Sequence, residues 1–192
     1  MDKRQFLGAA ALAATLPVAA ATSSSGTGGP ALLTITGAIG KTNRAPFDPA
    51  LDQMMKRHMV TFEKAFALDF KALAALPALT IRPTLEYDGK VHALRGPLLT
   101  QVLELAGASL HGKSNLAMRA VDGYVASITA VQARAQRFIL ATHLDGRPMA
   151  LGGLGPLWAL VDADRLAQLA SKPLAQRFGA CPWALYHIDV AA

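Results

Sequence analysis

The sequence predicts an α+β domain, a single unit rich in short strands with two to three helices between them. Three observations lead there. Short runs of β-branched residues with two-residue alternation recur along the chain, punctuated by Gly, Pro and Asp turns. One segment, GPLLTQVLELAGA at 96–108, carries an apolar stripe at helical spacing. Strands and helices do not alternate regularly, which argues against a doubly wound parallel sheet.

The elements follow in order. ALLTITGAI (31–39) reads as a strand ended by Gly40. Residues 41–59, with two prolines, read as a loop containing one helical turn. VTFEKAF (60–66) alternates, with Val60, Phe62, Lys64 and Phe66 on one face, and predicts a short strand. Asp69 is an N-cap for a short helix that Pro77 stops. LTIRPTLEYDGKVHALRG (79–96) is two strands around a tight turn at Asp88-Gly89. In the clearest helix Pro97 takes the first position, Leu98, Leu99, Val102, Leu103 and Ala106 form the stripe, and Gly107 stops it.

NLAMRAVDGYVASI (115–128) then gives a strand, a kink at Asp122-Gly123 and a second strand. TAVQARAQ is a helical turn, RFILAT (137–142) a buried strand, HLDGRP a turn and LWALV (157–161) a second buried run. ADRLAQLASKPLAQRF is helical in pattern and broken at Pro173. PWALYHIDV closes the domain as a strand.

The N-terminus has a different grammar. Lys3 and Arg4 precede an apolar, alanine-rich stretch from Phe6 to Ala21, and Ala19 and Ala21 fit a small-x-small cleavage rule. Residues 1–21 therefore read as a secretory signal peptide. Interrupted by Pro17, they are too weakly apolar for a membrane anchor. Lys3-Arg4-Gln5-Phe6-Leu7 is also similar to the twin-arginine export signal, with Lys3 in place of the first arginine. Residues 22–30 are Ser, Thr and Gly and predict a flexible tether. The folded domain is expected over 31–192, in the periplasm or secreted, with no stable membrane span after cleavage.

Composition excludes several function classes. The net charge is +6, but the 19 Lys and Arg are scattered singly, so no nucleic-acid surface is expected. Cys181 is the single cysteine and cannot form an internal disulfide, so the fold must stand on its core. The five histidines lie far apart in different elements, and no metal-ligand spacing occurs, so no metal site is expected. There is no Gly-x-Ser-x-Gly elbow, GxGxxG or Walker loop. The glycines at 152, 153 and 155 precede a strand, so phosphate binding at a helix N-terminus is not implied.

Four stretches together resemble the molybdopterin-binding domain of the sulfite oxidase type. They are LTITGAI, FALDFKALAALP, LRGPLLTQVLELAGA and AVDGYVASITAVQARAQRFILATHLDGRPMALGGLGPLWALV, a span from about Leu32 to Val161. The resemblance implies that family's fold, with a pterin held around the glycine-rich corner. It also implies a molybdenum thiolate just after the strand matching LTIRPTLEY. Here Thr84, Glu86, Tyr87 and Asp88 occupy that region, and no cysteine does. The Gly-Pro-Leu corner continues with Trp158 where the family commonly has a basic residue.

The candidate pocket residues are Asp122, Tyr124, Arg147, Gly153, Gly155 and Trp158. Tyr124 would offer a hydroxyl, Arg147 a fork for an anion, and Trp158 an apolar wall. Each also has a plainer role in a turn or the core. Glu86 and His92 flank the place of the missing thiolate. Two functions follow as expectations. One is an exported module without a bound metal or cofactor, which binds a small ligand or a periplasmic partner. The other is an exported molybdopterin oxidoreductase with unusual metal ligation.

Overall fold

The structure is a computed structural model that describes residues 28–111 and 114–191. The expected signal peptide and most of the expected tether lie outside the described residues. The last tether residues are placed: the Gly29 amide donates to Asp69 Oδ2 at 2.9 Å.

A five-stranded sheet organises the domain, in the order β2-β1-β11-β5-β6. Its strands are β1 (Ala31–Gly37), β2 (Ala65–Asp69), β5 (Asn115–Ala120), β6 (Val125–Thr129) and β11 (Leu185–Ala191). The first and last strands pair in parallel, Ile35 opposite Ile188, and every other pairing is antiparallel. Two smaller sheets complete the set. One runs β3 (Ala78–Ile81), β4 (Leu94–Pro97), β8 (His143–Leu144), β9 (Arg147–Pro148); the other pairs β7 (Ile139–Ala141) with β10 (Trp158–Leu160).

One face of the large sheet builds the core. Leu33, Ile35, Leu116, Met118, Ile128 and Ile188 meet α3 (Leu99–Leu105) and the β7–β10 pair in one apolar cluster. On the opposite face Thr34, Thr36 and His187 are buried polar groups. Segment 41–64 covers part of that face, with Met55, Val60 and Phe62 packed on Ala65 and Tyr186. Arg44 fastens this cover: it donates to Thr34 Oγ1 at 2.6 Å, pairs with Asp52 and lies over the Phe62 ring.

Local signals act as the sequence predicts at several ends. Asp69 caps α2 (Phe70–Ala74), accepting from the Ala72 amide at 2.7 Å. Thr129 and Gln132 form a reciprocal capping box on α4 (Ala130–Ala135). Gly107, at φ +67, ends α3: its amide donates to Glu104 and the Ala108 amide to Leu103, a two-bond left-handed stop. Asp69 is buried and holds two amides at once. Asp69→Ala is expected to lower stability by about 1–2 kcal/mol, read from the urea midpoint at constant slope.

The structure differs from expectation in five places. The strand expected over 60–66 lies at Ala65–Asp69, because Val60 and Phe62 pack as the apolar side of the cover and do not join the ladder. β1 stops at Gly37, not Gly40: Gly37 has φ +85, and a Cβ there would stand 2.3 Å from the Val190 carbonyl. Pro97 ends β4, and the helix begins at Leu99, because Pro97 pairs with Ala78 and Leu98 bridges Ile139. The kink at Asp122-Gly123 is a tight hairpin turn with Gly123 at φ +91. Residues 162–178 form no continuous helix. Short turns at Ala163–Arg165 and Leu174–Gln176 flank α5 (Ala167–Ala170), and Arg177 donates to the Lys172 and Ala170 carbonyls. With α1 (Gln53–Arg57), the described residues hold five α-helices of four to seven residues where two to three are predicted. Helices this short depend on tertiary packing.

Candidate functional site

A cavity of about 270 Å³ opens where three segments meet. The β3–β4 loop brings Glu86 and Tyr87, the β5–β6 turn brings Asp122 and Tyr124, and the segment before β11 brings Phe178, Cys181 and Trp183. Each is fixed by hydrogen bonds, most of them between segments distant in sequence. Thr84 donates through both its amide and its hydroxyl to Asp164, which also pairs with Arg177 at 2.8 Å. Burial pushes the Asp164 carboxyl up, but the Thr84 bonds and the Arg177 charge outweigh it and hold it below its ordinary range. Asp122 accepts from the Tyr124 amide, and the Tyr124 hydroxyl donates to the Gly179 carbonyl, tying the turn to the far wall.

Trp158 lies beneath this cavity and is fully buried. Its indole N–H donates to the Cys181 carbonyl at 2.9 Å, and its ring sits between Tyr87 (6.3 Å) and Phe178 (6.0 Å). Burial pushes the Cys181 thiol up to about 12, and the negative charge of Glu86 acts the same way. The thiol is therefore neutral at physiological pH and a poor nucleophile. Burial, then Glu86, also raises Tyr87.

Of the sequence candidates, Asp122 and Tyr124 line the cavity together with Glu86. Arg147 lies exposed on β9, outside that lining. Gly153 and Gly155 belong to the corner between β9 and β10, where both amides donate to the Ala150 carbonyl. A Cβ on Gly155 would come within 2.5 Å of Met149 backbone, so the site requires glycine for close packing. Cys181 stands far from Glu86 in sequence, and the fold brings the two together. In the sequence Phe178 ends a helical pattern and Trp183 opens a strand pattern, and neither pattern points to a site. Cys181-Pro182-Trp183, a turn former between apolar residues just before a strand, was the one local hint.

His92 faces two carboxylates outside the cavity lining. Its Nδ1 is 2.7 Å from Asp145 and its Nε2 is 3.0 Å from Asp88. Both nitrogens can donate only in the imidazolium form. Asp145 and then Asp88 raise His92 above its ordinary 6.5, and His92 in turn lowers both carboxyls below 3.8. The Ala93 amide also holds Asp145, and the Lys90 amide holds Asp88. The sign of the pH dependence follows. The histidine contribution is complete below 6.5 and is lost as pH rises through its raised value. The carboxylate contributions are present above 3.8 and are lost as pH falls through their lowered values. Relative to the intrinsic base-catalysed rate, protection of the amides in the 85–92 loop should thus be greatest between those limits and fall on the alkaline side. In His92→Gln the alkaline loss of protection should disappear.

No protein-family model and no curated protein matches this sequence. The fold is that of a molybdopterin-type domain, α+β and sulfite-oxidase-like. The chain is similar to the crystal structure of the sulfane dehydrogenase SoxCD from Paracoccus pantotrophus, with a TM-score of 0.52 and 14% identity. The similarity covers 83% of this chain but only 37% of the SoxCD chain. At that identity the likeness establishes the fold alone.

The residues around the cavity do not fit a molybdenum–pterin group. The single thiol, Cys181, is buried in the wall before β11, and the 84–88 loop, where the resemblance places the thiolate, holds no cysteine. Among the described residues the lining has two carboxylates and no Lys or Arg to meet an anionic phosphate. Among the described residues no three His, Cys, Asp or Glu side chains converge to hold a metal ion.

Proposed function

We propose that the chain is an exported ligand-binding module on a molybdopterin-type fold, working without a bound metal. The observation that supports this best is the lining: Glu86 and Asp122 among aromatic rings, with the only thiol buried in the wall. A cavity of this size suits a small ligand and offers no activated nucleophile. Export rests on the charged, apolar and small-residue order of the N-terminus. No helix among the described residues is long and apolar enough to cross a membrane.

The test is metal and pterin content. The full chain, made with its own N-terminus in a host that synthesises molybdopterin, is purified from the periplasm. Elemental mass spectrometry reads molybdenum and tungsten, and fluorescence after acid oxidation reads pterin. Neither should be present in the folded protein. Near-stoichiometric metal with pterin would overturn the reading. It would favour an oxidoreductase in which Glu86, Tyr87 or Cys181 supplies the ligand.

A further inference from the structure

The cavity and the protein around it carry opposite charge. The chain is basic, at +6, yet among the described residues no Lys or Arg lines the cavity. Among the described residues, neither Glu86 nor Asp122 takes part in an ion pair, although five pairs form elsewhere. Glu86 is only partly exposed, and its hydrogen bond with Tyr87 leaves its charge without a cationic partner. Beside these carboxylates stand Tyr87, Tyr124 and Trp183. Tyr87 and Tyr124 are about half exposed at the mouth, and Trp183 is partly buried.

Aromatic faces carry negative quadrupole density and attract cations, more strongly where water is displaced. An anion would meet two like charges. A neutral apolar ligand would leave the two negative charges without a countercharge in a newly dried site. A cation with an apolar shell satisfies both kinds of wall. We infer that the cavity takes a small organic cation of the alkylated ammonium class. Its charged head would sit against the Tyr87, Tyr124 and Trp183 rings and beside Glu86. This rests on the ligand-binding reading above and names its ligand class. The positive net charge of the protein does nothing to attract such a ligand, so selectivity must arise within the cavity.

Calorimetric titration of the purified full chain tests this, with choline as the probe and 3,3-dimethyl-1-butanol as its neutral isostere. Metal and pterin content is measured on the same preparation. Choline should bind at least tenfold more tightly than the isostere, and more weakly as salt is raised. Glu86→Gln should weaken choline about tenfold with its melting temperature unchanged. Tyr87→Leu, on the exposed loop, should weaken it as well. Equal binding of the two probes, or a flat choline titration of folded, metal-free protein, would overturn the cation inference and leave the ligand-binding reading standing. Stoichiometric metal with pterin would overturn both.

Discussion

Trp158→Ala lowers the stability of the domain by about 3–5 kcal/mol, the usual cost of emptying a large aromatic site in a core. The expectation rests on its surroundings. Trp158 is fully buried, its ring contacts Tyr87 and Phe178, and its N–H is the partner of the Cys181 carbonyl. The substitution removes all three at once, beneath the floor of the cavity. Native domains have only about 5–15 kcal/mol to lose, so urea unfolding should show a sharply lower midpoint. Trp158→Phe separates the contributions. It keeps most of the ring volume but leaves the carbonyl unpaired, and about 1–3 kcal/mol should go. If Trp158→Ala shifted the midpoint no more than an exposed substitution does, the buried indole would not be the support described.

Gly96→Ala is the second large effect. Gly96 is buried in β4, where the strand crosses close over β7. A Cβ built there would stand 1.9 Å from the Leu140 carbonyl oxygen and 2.7 Å from the Ala141 Cα. These are backbone atoms of a buried strand, so no side chain can turn aside. The two strands must separate, and the Leu79–Gly96 pairing moves with them. A loss of about 3 kcal/mol or more is expected, at the upper end of overpacking costs. Gly89→Ala is the control: nothing lies within 4 Å of its Cβ, and only its positive φ opposes the change. That substitution should cost about 1 kcal/mol.

Local chemistry was legible in the sequence and long-range pairing was not. Asp69 before an apolar run, Gly107 after the Leu99–Leu103 stripe and Asp-Gly at 122–123 each act within a few residues, so sequence exposes them. Their outcome was altered only where a distant partner intervened. Pro97 looks like a helix start until Ala78 pairs with it. Val60 and Phe62 look like a strand until they close over Tyr186. The same divide runs through the site. Asp122 and Tyr124 sit on a turn that announces itself. Phe178, Cys181 and Trp183 reach the cavity only because β11 inserts beside β5, which no local pattern encodes. Resemblance identified the fold class and pointed to the glycine corner. Gly155 there answers to the backbone of Met149, a contact visible only in three dimensions.

The parallel pairing of β1 with β11 governs how the domain is made. The two strands are joined by residues 151 positions apart, Thr36 and His187, and β11 lies between β1 and β5. Contacts so distant in sequence slow folding, because a long loop must close before they give any return. During synthesis β11 is the last of these strands to appear. Until it arrives, β1 and β5 each present an open edge, and such edges recruit other chains. The five-stranded sheet therefore cannot close until β11 has been made.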